Sequence, residues 1–233
     1  MSDTFYKFVR FVGSPVFWST AAPVVLGREH VLAAIGGAAS GASDGSKGHA
    51  TGCCIIAPTH ESPYDVPLLI VQTPLLLDFV SITEVFANPQ VAWFYGSLNA
   101  FPLDRSRPDS GAVRTILARL KQGRTVVMFP EGRLRAGKDS VVHTRKIKSG
   151  IGRVAEMAGA KIVPCVIINS AAYQRPISWL PLFRVRYGVI YGEPLNPELL
   201  GERTEEALVD ALVALHAQLR AAMDEVEARR ERK

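Results

Sequence analysis

Three cysteines in 233 residues are too few to build a fold on disulfides. Cys53 and Cys54 are adjacent and, like Cys165, lie in apolar runs, the setting of buried reduced thiols in a cytosolic protein. Long hydrophobic runs are missing too. The best, 11–26, is broken by Gly13, Pro15 and Pro23 and falls short of the ~20 residues that a spanning helix needs. No secretory signal, internal repeat or Cys/His cluster with zinc spacing is present, so no leader, repeat array or metal site is expected. With 48% hydrophobic and 21% charged residues the chain is too apolar for wholesale disorder, and its length suits one domain.

Net charge is absent from most of the chain as well. Residues 1–132 hold ten basic and ten acidic side chains, and 149–233 hold eleven of each. The whole excess of +5 lies in 133–148, where Arg133, Arg135, Lys138, Arg145, Lys146 and Lys148 face only Asp139. Such a stretch is either a solvated basic loop or a site for an anionic partner: phosphate, nucleic acid or a membrane surface. Near the N-terminus Phe5, Phe8, Val9 and Val12 repeat at i, i+3, i+4 and i+7, with Lys7 and Arg10 off that face. This is the pattern of a short amphipathic helix, lying at a membrane interface or packed on its own domain.

Further along, strands are expected near 24–32, at 53–57 before Pro58, at 125–129, at 162–168 and at 184–191. Helices are expected near 65–72, at 110–122 (stripe Val113, Ile116, Leu117, Leu120, stop at Gly123), at 147–158, and from Leu208 through Val226. The Gly/Ala/Ser-rich segment 35–52 reads as a flexible loop. Alternating elements imply a single α/β domain: a mixed, mostly parallel central sheet flanked by helices, plus the short N-terminal amphipathic helix.

Two motif matches fail on context. Gly41-Ala42-Ser43-Asp44-Gly45 fits the nucleophile elbow but lies within the low-complexity loop, without the strand and helix that the elbow requires. Gly132 through Gly137-Lys138 follows a strand and fits most of a phosphate-binding P-loop, yet Asp139 replaces the Ser/Thr that holds magnesium. The stronger candidate is His60-Glu61-Ser62-Pro63-Tyr64-Asp65. It follows a buried strand, at the sheet edge that presents functional residues in α/β folds. Pro63 suits a first helical turn with Ser62 as its cap, so Asp65 reaches back to a loop-borne His60. A carboxylate on one ring nitrogen fixes the tautomer and makes the other a better base. On the residues alone, a structural His with an unrelated Asp remains the alternative.

The blocks Phe129-Pro130-Glu131-Gly132 with basic residues after it, Gly96 to Pro102-Leu103-Asp104-Arg105, and Val163-Pro164 follow in order. With His60 and Asp65 the chain resembles the glycerophospholipid acyltransferase family, the 1-acylglycerol-3-phosphate acyltransferases and their relatives. The resemblance runs from the strand before His60 to Val166, about half the chain. It implies transfer of a fatty acyl group from acyl-CoA or acyl carrier protein to a lysolipid hydroxyl, with no cofactor besides that thioester. His60 matches the catalytic base, Asp65 its orienting carboxylate, and Arg105 a phosphate contact. Glu131 and Gly132 match a block that shapes the acceptor site, although a Glu amid arginines equally serves to hold them. The family commonly has a small residue and then Arg after the Gly; here Leu134 occupies that Arg position, so Arg133 or Arg135 substitutes. The resemblance also implies an acyltransferase core at 53–200, preceded by a membrane-associating segment and first strand (1–32) and the loop 33–52, and followed by a C-terminal helix (201–233). Peripheral attachment to the cytoplasmic face of a membrane is expected. The competing readings are another lysophospholipid or ornithine-type acceptor, and a non-catalytic module gripping anionic lipid or nucleic acid. Nucleic acid is disfavoured because no aromatic residue lies within the basic stretch to stack on bases.

Overall fold

Strand and helix alternate along the chain. The computed structural model describes residues 3–36, 53–103, 110–181 and 185–232. Their elements are, in order, α1 (Asp3–Thr20), β1 (Val24–Leu26), α2 (Arg28–Gly36), β2 (Cys54–Pro58), α3 (Asp65–Gln72), β3 (Leu77–Ile82), α4 (Pro89–Ser97) and β4 (Ala100–Leu103). Then follow α5 (Ser110–Lys121), β5 (Thr125–Val127), α6 (Val141–Thr144), α7 (Ile151–Ala158), β6 (Lys161–Ile168), β7 (Gly188–Tyr191), α8 (Pro197–Leu200) and α9 (Thr204–Glu231), with a few 3₁₀ turns between them.

The strands form one sheet in the order β1-β7-β6-β2-β5-β3-β4. Every neighbouring pair is parallel except β6 and β7. This is the mixed, mostly parallel sheet that the sequence implies. Its central strands read as unbroken apolar runs because both faces are covered. Alternate residues divide between two layers. Cys54 and Ile56 of β2 and Val163, Cys165 and Ile167 of β6 pack on the side of α1, α2 and α3. Ile55, Ala57, Ile162, Val166 and Ile168 pack on the side of α5, α7 and α9. α9 covers that second layer with buried Leu208, Leu212, Leu215 and Leu219, its helical stripe.

Several boundaries differ from the sequence reading for identifiable reasons. The strand expected over 24–32 ends at Leu26 and gives way to α2. Gly27 turns the chain at φ +71°, and a Cβ there would meet the Tyr191 carbonyl oxygen at 2.0 Å, so only glycine fits. The helix expected over 147–158 begins at Ile151, because the backbone before it is engaged elsewhere: Lys148 N–H donates to the Pro130 carbonyl (2.8 Å) and Gly150 N–H to Glu205 Oε1 (2.5 Å). Strand 125–129 stops at Val127, and strand 184–191 is regular only from Gly188, with Val185 bridged singly to Ala21. Val91, Trp93, Phe94 and Tyr95, an apolar stretch, lie within α4. Ser62 does not cap α3; its Oγ accepts from Tyr64 N–H (3.1 Å), and α3 starts at Asp65 without a side-chain cap.

The N-terminal helix is longer than its sequence stripe and faces differently. α1 runs for 18 residues, through Pro15, about 27 Å at 1.5 Å per residue. Tyr6, Phe17 and Thr20 are its buried residues, with Phe5 and Val9 partly covered, whereas Phe8 and Val12 of the expected stripe are exposed. It is tied down at both ends. Asp3 accepts from Arg124 (3.3 Å) and Asn99 (3.4 Å), and Thr20 Oγ1 meets the Tyr173 hydroxyl (3.3 Å). Among the described residues no helix is long and apolar enough to cross a membrane.

Candidate active site

β2 delivers His60 to the sheet edge where the parallel strands end, between the loops that follow β6 and β5. Its Nδ1 lies 2.8 Å from Asp65 Oδ2. Asp65 is fully buried at the start of α3, and the same oxygen accepts from Ser62 N–H (3.0 Å). The turn between the two residues therefore closes on the carboxylate itself, the first of the two arrangements that the spacing left open. With Nδ1 donating to a carboxylate, Nε2 carries the lone pair. Asp65 Oδ1 is buried without a hydrogen-bond partner among the described residues.

The loop after β5 braces the histidine from the other side. The Phe129 ring stacks on the imidazole at 3.8 Å between centroids and 24° between planes. Glu131, only 1% exposed, accepts from the backbone N–H of His60 at Oε2 (2.9 Å) and of Val141 at Oε1 (2.6 Å). Burial raises its pKa, opposed by those two bonds and by His60 and Arg135. Glu131 thus holds backbone in place, tying β2, its own loop and α6 together. Gly132 turns with φ +68°, and a Cβ on it would press on the Lys148 side chain at 3.0 Å. The loop folds back so that Arg135 N–H donates to the His60 carbonyl (2.7 Å).

The structure therefore brings together His60, Asp65, Glu131, Gly132 and Arg135. Arg135 is partly buried, and its Nε is buried with no hydrogen-bond partner among the described residues. Arg133 is exposed, and Arg105 lies outside the described residues, as does the Gly41–Gly45 motif. The basic stretch is not one continuous anion surface, since Arg145 is engaged by Asp210 of α9. The P-loop match ends in a 3₁₀ turn (Gly137–Asp139) rather than at the start of a long helix.

Sequence reasoning passed over two neighbours of the pair. Phe129 was visible only as part of a motif; an aromatic immediately after a buried strand was the available signal. Glu61, beside His60, accepts from Asn169 N–H (3.3 Å), and its pKa is pushed up to about 7 by burial and by the negative charge of Asp65. Ser62 Oγ meets Ser170 Oγ at 2.9 Å and fastens the same turn to the loop after β6. Cys54 and Cys165 are buried free thiols, Cys53 partly so. Burial pushes Cys54 up to about 12 and Cys165 well above its ordinary value, which leaves neither as a nucleophile near neutrality.

The site is thus a histidine paired with a buried carboxylate, at the sheet edge of an α/β fold and braced by a Phe-Pro-Glu-Gly loop. A family model described as Acyltransferase matches residues 43–168, more than half of the chain, and the chain belongs to that family. Its relatives include the 1-acyl-sn-glycerol-3-phosphate acyltransferase of Bacillus subtilis (strain 168), 34% identical over 144 residues, and that of Streptococcus pneumoniae (strain ATCC BAA-255 / R6), 26% identical over 156. These alignments take in 61% and 66% of this chain, and the chain spans 66% and 54% of the relatives' length. The fold is that of the crystal structure of the 1-acyl-sn-glycerophosphate (LPA) acyltransferase, PlsC, from Thermotoga maritima. The TM-score is 0.60 at 22% identity, with 96% of this chain and 80% of that one covered.

Proposed function

We propose that the protein transfers a fatty acyl group from a thioester, acyl-CoA or acyl carrier protein, to the free hydroxyl of 1-acylglycerol 3-phosphate. The carrying observation is the 2.8 Å contact between His60 Nδ1 and a fully buried Asp65, which leaves Nε2 as the proton acceptor. As the hydroxyl oxygen attacks the thioester carbonyl carbon, its proton passes to Nε2 and the imidazolium is held by Asp65. Collapse of the tetrahedral intermediate breaks the C–S bond, and the departing sulfur takes the proton. The products are phosphatidate and a free thiol. A thioester is already activated, so no covalent enzyme intermediate is needed.

Arg135 is the residue we assign to the acceptor phosphate in preference to Arg133. It is bonded through its backbone to His60, and a buried guanidinium N–H without a partner is costly unless a ligand completes it. The test is thiol release with 1-acylglycerol 3-phosphate and palmitoyl-CoA. Turnover by the wild type is expected, with loss of at least ~10³-fold in His60→Ala. Arg135→Ala is expected to raise the KM for the acceptor by about tenfold or more, and Arg133→Ala by far less. Retained turnover in a folded His60→Ala protein would remove His60 as the base.

The substrate's lipid nature gives meaning to the outer face of α1. Phe11 and Trp18 are 77% and 70% exposed, and Trp93 of α4, 64% exposed, packs against Phe5. Beside them Lys7 and Arg10 line the same shallow surface as Phe11 and Trp18. An exposed aromatic face with adjacent cations suits an anionic leaflet, with the chain peripheral to the membrane. Flotation with anionic liposomes is expected to carry the wild type and to lose most of a Phe11→Ser/Trp18→Ser protein. Equal flotation of both would rule out α1 as the anchor.

A further inference from the structure

The antiparallel pairing of β6 with β7 brings the start of β7, and that of β1 beside it, to the edge where His60 stands. A cleft of about 430 Å³ opens there, on the side of His60 away from the Phe129–Arg135 loop, roofed by the C-terminal half of α9. Its inner end is formed by Glu61 and Asn169, and three arginines line it: Arg186 before β7, and Arg220 and Arg230 on α9. Arg186 is paired with Glu227. Arg220 and Arg230 make no ion pair among the described residues, although Arg220 lowers the pKa of Glu61 through its charge, and Asp224 lies on the same wall. This second cationic group is invisible in the charge tally, where 149–233 is neutral. The fold gathers its arginines from two separate segments.

A two-substrate transfer at one histidine needs the substrates to approach from different sides. The acceptor side is occupied by the loop carrying Arg135. The cleft offers polar walls, guanidinium groups with no ion pair among the described residues, and direct continuity with the His60 turn, through the Asn169 N–H bond to Glu61 and the Ser62–Ser170 contact. Resting on the acyl-transfer reading, we propose that this cleft seats the phosphate end of the thioester substrate, the phosphodiester of its phosphopantetheine arm, with Arg220 and Arg230 as its ligands. That group is common to coenzyme A and to acyl carrier protein, and guanidinium is the side chain suited to it.

The experiment measures initial rates with palmitoyl-CoA and, separately, palmitoyl-acyl carrier protein, first varying the thioester at a fixed level of 1-acylglycerol 3-phosphate and then varying that acceptor at a fixed level of thioester. The thioester that the wild type uses identifies the source of the phosphate. In Arg220→Ala/Arg230→Ala its KM is expected to rise at least ~10-fold, with the acceptor KM unchanged and part of the loss recovered in Arg220→Lys/Arg230→Lys. An unchanged thioester KM, or equal rises in both substrates' KM, would overturn the assignment. Isothermal titration with free coenzyme A provides a reading independent of turnover. Binding by the wild type, weakened to the same degree in the Ala variant, supports the site, and no binding by the wild type overturns it. A wild type that binds coenzyme A yet turns over no thioester would refute the acyl-transfer reading and not the site.

Discussion

Among the described residues two aspartates are wholly buried, one at each edge of the sheet, and they are compensated in opposite ways. Asp78, near the start of β3, receives two bonds from Arg124 (2.5 and 2.6 Å) and a third from Arg119 (3.4 Å). Asp65, at the far edge, meets an imidazole and one backbone N–H and keeps one oxygen unpartnered among the described residues. A buried carboxylate surrounded by guanidinium groups is a clamp: its charge is satisfied in the resting fold, and breaking the pair is expensive. A carboxylate matched only to a histidine has its full partner only when that histidine gains a proton. The first holds structure, fixing α1 to the sheet through Arg124 and Asp3. In the proposed mechanism the second supplies the negative charge that a protonated His60 would need.

The contrast breaks most sharply with paired isosteric substitutions. Asp65→Asn is expected to lower turnover roughly a thousandfold or more, because the amide no longer fixes the tautomer or stabilises imidazolium. Thermal stability should stay within ~1 kcal/mol of wild type, since the isosteric amide can still accept from Ser62 N–H and strands no guanidinium partner. Calorimetry alongside the thiol-release assay checks both halves, and a large loss of stability with turnover intact would invert the assignment. Asp78→Asn should do the reverse. Leaving Arg124 short of its main partner costs about 3 kcal/mol, a fall in Tm on the order of 10 °C, while kcat of the folded protein is unchanged.

Glu61 gives the smallest and most specific effect. Because its folded pKa is about 7 against an ordinary 4.5, the fold favours the protonated form. The stability this contributes is complete below about pH 4.5 and is lost as pH rises through about 7. Glu61→Gln, permanently neutral, should match the wild type in Tm at pH 4 and exceed it by roughly 3 °C at pH 8.5, as scanning fluorimetry across pH would reveal. An offset equal at both pH values would mean that ionisation is not involved.

Much of this was legible in local pattern. The β-branched run of β6, the stripe of α5 stopped by Gly123 and the long stripe of α9 announce themselves by period. The pairing of His60 with Asp65 is one of two readings of a strand, a proline and five residues of spacing, and becomes the expected one through the family resemblance. What escaped depends on parts of the chain that meet only after folding. Asp78 and Arg124 are 46 residues apart and belong to no shared motif. Gly27 ends a strand because Tyr191 lies against it, which the residues around Gly27 do not reveal. The buried face of α1 is chosen by contacts with Leu77, Tyr173 and Arg124 rather than by its own periodicity, which is why Tyr6, and not Phe8, turned inward. The role of Glu131 was equally hidden, since its partners are main-chain groups that carry no sequence signature.

The single reversal of direction between β6 and β7 has an evolutionary consequence. On one side of His60 the wall is the loop that leaves β5; on the other are the loop after β6, the segments that arrive at β1 and β7, and α9, with the turn after β2 between the two. The two walls share no loop except the short His60 turn. If each wall serves one substrate as proposed, insertions or exchanges in one need not disturb the other, and each can drift under its own selection while the histidine between them stays fixed.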